Sequence, residues 1–304
     1  MTACIYYNPE AYTTSGPKLM GRNAAGESFL RAFFSHAAAA DFFSVQVESI
    51  AHAEHFAAAA KQAGRTEEIR TRSKHNLGRL KDPGVVYFPE PAIGKHAFLR
   101  RLYGDASWSL SGITHTTSST VAMDAIAELI TAPIMPWDSL ICTSTAVKKN
   151  VEAVLQSQVD YLRERLGVSK LVLPLLPVIP LGIHTEDFEF TTHEKRTARK
   201  NIGVKDSDLV VLYTGRLSFH AKAHPLPMYL GLEAAAKKSK QNIVLVECGW
   251  HANSAIAESF AEAAKLTCPS VRVIQIDGRE ELGRKNAWGS ADVFCSLSDN
   301  IQET

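Results

Sequence analysis

The chain lacks most of the features that assign a function at sight. Its five cysteines (Cys4, Cys142, Cys248, Cys268 and Cys295) are odd in number and scattered, with no CxxC pair. That argues against a disulfide framework or a zinc site and for small buried thiols in a reducing, cytoplasmic setting. No apolar run approaches the roughly 20 residues that cross a bilayer. The amino terminus, MTACIYYNPE, has no basic stretch leading into an apolar one, so no secretory signal is read. Charge of one sign is also missing: 33 basic residues face 32 acidic ones, a formal net charge of +1. General nucleic-acid binding is thereby disfavoured. No GxGxxG follows a strand, which removes the main support for a dinucleotide dehydrogenase. No GxSxG elbow, HExxH pair, internal repeat or low-complexity tract is present.

What is present is an alternation of apolar strands and amphipathic helices over 304 residues, long enough for two domains with full cores. In the first part, strands are expected at Ala3–Tyr7, Ser44–Ile50, Val85–Phe88, Trp108–His115 and Leu140–Thr143. Helices are expected at Glu27–Ala40, Ala51–Ala63, Lys95–Leu102 and Val121–Thr131, with a long one capped by Ser144 and stopped by Gly167. Residues 64–82 are charged and poor in large apolar groups, and read as an exposed excursion. Pro174, Pro177 and Pro180 then mark a last strand merging into an interdomain connection. After a charged helix (Thr192–Asn201) the alternation resumes, with strands at Leu209–Tyr213, Ile243–Glu247, Val271–Ile276 and Asp292–Ser296. The intervening helices fall at Pro225–Lys238, Ala252–Leu266 and Glu280–Trp288. Parallel sheets with right-handed crossovers follow. The expected fold class is α/β, two facing doubly wound Rossmann-like domains over residues 1–180 and 181–304, the second incomplete.

Asp206 to Lys222 is the stretch with the most chemistry. A buried strand runs into Thr214-Gly215-Arg216 and a polar loop ending in Lys222. Glycine lets a ligand approach the backbone, and two cations at a strand's carboxyl end suit a phosphate or diphosphate. On local sequence alone, a strand end with two solvated surface cations is the favoured reading. His115 ends a strand among Thr116, Thr117, Ser118 and Ser119, as a site residue or a structural one. Glu90, between two prolines, suits loop anchoring. His52 and His55 share a helical face without a third ligand, and His220 and His224 lie in a loop. The segment Gly16 to Asn23 has P-loop glycine spacing, but Arg22 and Asn23 stand where lysine and Ser/Thr are required.

Taken in order, these pieces resemble the retaining family-4 glycosyltransferases of the GT-B fold. The glycine-rich loop is Met20-Gly21-Arg22-Asn23-Ala24-Ala25-Gly26, and the strand ending in histidine is Ile113 to Thr116. The VIPxGID…F connector appears as Val178-Ile179-Pro180-Leu181-Gly182-Ile183-His184…Phe188. The GRL…K clamp is Gly215-Arg216-Leu217…Lys222, and ADVF.S.S…E is Ala291-Asp292-Val293-Phe294…Ser296…Ser298…Glu303. The resemblance implies transfer of a sugar from a nucleoside-diphosphate sugar, held by the second domain, to a carbohydrate or other hydroxyl acceptor on the first, with retention and with neither metal nor cofactor. Arg216 and Lys222, with Gly215, would hold the donor diphosphate. Gly21 would lie near the phosphates, His115 near the anomeric centre, and Glu303 near the donor sugar as the first glutamate of E-x7-E. Three departures stand out: one residue more than usual between Arg216 and Lys222, His184 where aspartate is common, and no second glutamate. A chain ending at Thr304 is then expected to be a fragment that binds donor weakly. A non-catalytic nucleotide-sugar or glycan-binding module and a sugar-nucleotide epimerase are the competing readings, and peripheral membrane contact is left open.

Overall fold

The computed structural model describes residues 2–14, 19–73, 75–117, 119–219, 224–239 and 241–297. They form two compact units, the described parts of Met1–Thr13 and Arg22–Ile183 in one, those of Thr14–Gly21 and His184–Glu303 in the other.

In the first unit, β1 (Cys4–Tyr7), β2 (Phe42–Val47), β3 (Glu68–Arg72), β4 (Val85–Tyr87), β5 (Ser109–Ile113) and β6 (Ser139–Ile141) form one parallel sheet in the order β3-β2-β1-β4-β5-β6. The helices are α1 (Gly21–His36), α2 (Ile50–Gln62), α3 (Gly94–Arg101), α4 (Thr120–Glu128) and α5 (Thr145–Leu166). Side-chain alternation along the strands supplies both faces. Ile5, Tyr7, Phe43 and Val45 pack with Leu30, Phe34 and Phe56 of α1 and α2. Cys4, Val86, Leu110 and Leu140 pack with Ala97, Ile126, Val151 and Leu155 of α3, α4 and α5. Strand order reverses between β1 and β4, so the ligand crevice of such a sheet lies outside their carboxyl ends.

The second unit repeats the pattern. After α6 (Thr192–Asn201) come β7 (Leu209–Leu217), α7 (Leu226–Ser239), β8 (Ile243–His251), α8 (Ser254–Thr267), β9 (Arg272–Asp277), α9 (Glu281–Ser290) and β10 (Val293–Phe294). All pairings are parallel, in the order β10-β7-β8-β9. Val211, Tyr213 and Leu245 face Met228, Tyr229 and Phe260 of α7 and α8. Val210, Leu212, Val244 and Val246 face Ala287 of α9. Here the reversal lies between β7 and β10.

Four expectations need correction. The helix expected from Glu27 begins at Gly21, because Asn23 is buried and donates from Nδ2 to the Glu10 carbonyl (2.6 Å), anchoring the first turn. The excursion at residues 64–82 contains edge strand β3 and a 3₁₀ turn, Leu77–Lys81, whose Leu77 and Leu80 are buried in the core. Glu68 and Arg70 of β3 pair with each other at the surface, whereas Arg72 is buried and pairs with Asp82. The proline-rich run is no regular strand but lies along β6 through bridges Ser139–Leu175 and Cys142–Val178. That is an edge position, where proline's missing N–H costs no ladder bond. Finally, β7 and β8 continue past their expected ends, so Thr214, Gly215 and Arg216 belong to the ladder and not to a loop.

Candidate functional site

Why β7 continues is visible in its glycines. Gly215 has φ 149°, a conformation that side chains disfavour, and pairs in register with Gly249 on β8. A Cβ on Gly249 would sit 1.9 Å from the Gly215 carbonyl oxygen, so only glycine lets the two strand ends approach this closely. Gly278, just beyond β9, donates its N–H to the Gly249 carbonyl (2.9 Å). Glycine backbone therefore runs across the carboxyl edge of three neighbouring strands, packed main chain against main chain.

Arg216 follows Gly215 and is the register partner of Trp250. It is half-buried, and among the described residues its guanidinium makes no hydrogen bond or ion pair. That is costly unless an anion completes it, since a partly desolvated charge needs a partner. The other arginines at this edge are engaged: Arg279 grips Asp277 with two nitrogens, holding that carboxyl below its usual range. Arg284 donates to the Gly278 carbonyl. Trp250 donates from Nε1 to the Leu19 carbonyl (2.9 Å), within the same unit, so the residues just before Gly21 lie beside it. Below this edge, Glu247 is fully buried and accepts from Tyr229 and Gln275, and burial raises its pKa. A cavity of about 10 Å³, room for one water, lies between Glu247, Tyr213, His224 and Phe260.

In the first unit, His115 lies two residues past the end of β5, half-buried, with Nδ1 enclosed and unpartnered. Burial lowers its pKa and the nearby Arg22 charge adds to this, against a hydrogen bond with the Pro89 backbone. The enclosure thus favours the neutral imidazole over the charged one. Glu90 is held by Lys95 at 2.8 Å, the loop-anchoring role. His96 was missed from sequence: it is buried against Phe88, ring centroids 3.9 Å apart, and its pKa falls to about 3 through burial and the Lys95 charge. Trp250 was missed too, although the parallel Gly-Arg and Gly-Trp endings of β7 and β8 are a signal that could have found it.

Gly215, Arg216 and Gly21 thus belong to the second unit and His115 to the first. Lys222 and Glu303 lie outside the described residues, as do Ser118, His220 and Ser298. Among the described residues, no three His, Cys, Asp or Glu side chains are grouped to hold a metal ion. No helix among them is long and apolar enough to cross a membrane.

The two parallel sheets, each reversing order between its first and fourth strands in chain order, are those of the GT-B glycosyltransferase fold. Among solved structures, the chain is similar to HepE from Anabaena in complex with UDP, at 13% identity and TM-score 0.60, covering 99% of this chain and 75% of that one. HepE in complex with UDP-glucose gives 12% and 0.59 over the same shares. The N-terminal domain of Candida albicans trehalose-6-phosphate phosphatase gives 11% and 0.55, covering 97% and 78%. At these identities the likeness is one of fold. No protein-family model matches the chain, and no curated protein matches it in sequence.

Proposed function

We propose that this protein is a glycosyltransferase that moves a sugar from a nucleoside-diphosphate sugar to a hydroxyl acceptor, with retention at the anomeric carbon. The observation that carries the reading is Arg216, half-buried and unpartnered among the described residues, beside a glycine edge at the second unit's strand reversal. Breaking the bond from C1 to the diphosphate oxygen places negative charge on the leaving phosphate and positive character on the sugar. A fixed guanidinium answers the first without a metal. Lys222 is the proposed second cation and Glu303 the proposed contact to the donor sugar. Gly215 and Gly21 would let the phosphates approach backbone N–H groups, and neutral His115 would lie by the reacting carbon. HepE, similar in fold, was solved with UDP and with UDP-glucose, so uridine donors are the first to test. The buried free thiols suit a cytoplasmic setting.

Arg216→Ala is expected to lower turnover from UDP-glucose or a related donor about a hundredfold or more. Its melting temperature should hold, because no described protein contact is lost. Unchanged turnover would falsify the diphosphate-clamp assignment. His115→Ala should reduce kcat more than donor affinity, and NMR of the product's anomeric proton tests retention. Donor binding without turnover would instead indicate a binding module, and donor interconversion without acceptor an epimerase.

A further inference from the structure

Helix α3 is turned inside out. Its inward side carries Arg100, fully buried and paired with Asp138, and His96, stacked on Phe88. Its outward side carries Phe98 (49% exposed), Leu99 (44%) and, at its end, Leu102 (78%) and Tyr103 (38%). With Lys95 these follow the three- and four-residue spacing of one helical face. The helix cannot rotate to bury them, because the ion pair and the stacked imidazole fix its other side. Tyr103 packs on Gly78, which brings the 3₁₀ turn Leu77–Lys81 beside the stripe. Arg79, Lys81 and Arg101 make no ion pair among the described residues. Of the nearby carboxylates, Asp82 is paired with Arg72 and Glu90 with Lys95. Asp105 turns one oxygen inward, and Glu128 lies at the opposite end, against Gly94.

We propose that this face docks on the interfacial region of an anionic lipid bilayer. The four apolar side chains insert and Arg79, Lys81 and Arg101 meet the headgroups. A second copy of the chain fits poorly. The exposed apolar area is on the order of 400 Å², about half of what each partner of a stable interface contributes, and a two-fold contact would bring like charges together.

The test is sedimentation of the full chain with phosphatidylcholine vesicles, with and without phosphatidylglycerol. Partitioning is expected to be about tenfold stronger with the anionic lipid, to weaken at about 0.5 M salt, and to fall at least tenfold in Phe98→Ser/Leu102→Ser. That variant should keep its melting temperature, because both side chains are already exposed. Equal binding to both vesicle types, no binding to either, or undiminished binding by the folded double variant overturns the proposal. So does a dimer in analytical ultracentrifugation that the same variant abolishes, which would assign the face to a second copy.

Discussion

Replacing Asp138 by alanine removes one carboxylate that holds three elements together. Asp138 and Arg100 are both fully buried, joined by Nη1–Oδ1 at 2.6 Å and Nη2–Oδ2 at 2.8 Å. Arg100 also donates to the carbonyls of Trp108 (2.9 Å) and Pro133 (3.0 Å). Asp138 accepts the N–H of Leu110 on β5 and of Met135, each at 2.8 Å. The alanine variant leaves a guanidinium with no counter-charge and strands two buried N–H groups. Breaking a buried pair from one side costs about 3–5 kcal/mol, and each orphaned donor adds on the order of 1 kcal/mol. We therefore expect a loss of about 5 kcal/mol, and a fall of roughly 10–20 °C in the first unit's melting temperature. Urea and thermal unfolding followed by circular dichroism measure it. The exposed pair Glu90–Lys95 is the internal comparison: Lys95→Ala should cost under about 1 kcal/mol. The double variant Arg100→Met/Asp138→Leu separates net worth from stranded charge and should recover most of the loss. A loss below about 1 kcal/mol in Asp138→Ala would refute the assignment of this pair as the lock on α3, β5 and β6.

The remaining predictions concern the two strand edges, a histidine and a cap. Gly249→Ala places a methyl 1.9 Å from the Gly215 oxygen; unfolding should show a loss of about 2 kcal/mol or more, and titration a loss of donor binding, with an unaffected variant contradicting the close approach. His96 has a folded pKa of about 3, below its unfolded value near 6.5. Its neutral form is the folded one, so its contribution is complete above pH 6.5 and is lost as pH falls toward 3, at about 1.4 kcal/mol per pH unit. His96→Phe should flatten the stability profile between pH 6.5 and 5, above the carboxylate range, and parallel profiles would count against it. Thr191 and Glu194 form a reciprocal capping box on α6, so Thr191→Ala should cost about 1 kcal/mol in chemical denaturation.

Legibility in the sequence followed the range of the interactions. The bounds of α6 were readable because the capping box and its polar body are local. The cores of β7 and β8 were readable because Val210 to Tyr213 and Ile243 to Val246 are apolar without interruption. Strand β3 was not, since its register with β2 is what makes Glu68–Arg72 a strand. The burial of Arg100 was hidden because its partner lies 38 positions away. At the candidate site, the glycine and arginine of β7 stood out by type. That Arg216 lacks a described partner, and that Gly249 must be glycine, depends on neighbouring strands, which no local pattern reports.

The motif residue Asp292 serves the stability of the second sheet. Part of the ADVF pattern, it lies one residue ahead of β10 and accepts the N–H of Val210 on the neighbouring strand (2.8 Å). Arg199 of α6 clamps it at 3.2 Å. Asp138 does the same in the first unit: one residue ahead of β6, accepting from Leu110 on β5, clamped by Arg100 of α3. Each sheet is thus tied at its amino edge by a helix arginine and an aspartate that seals the start of two strands. The second-unit pair is the weaker lock, because the Asp292 side chain is 40% exposed whereas that of Asp138 is closed off. The charges of these two locks are matched within the protein. At the carboxyl edge the matching stops: Arg216 has no described partner, and His115 keeps an unpartnered nitrogen. Unmet charge and hydrogen-bonding capacity are costly, and they persist where the surrounding fold is held firmly enough to tolerate them. Asp292→Ala should therefore cost less stability than Asp138→Ala, about 1–2 kcal/mol. If the amino-edge lock also supports the site, it should loosen donor binding in proportion to the strand pairing lost between β7 and β10, which hydrogen exchange at Val210 and Leu212 can follow directly.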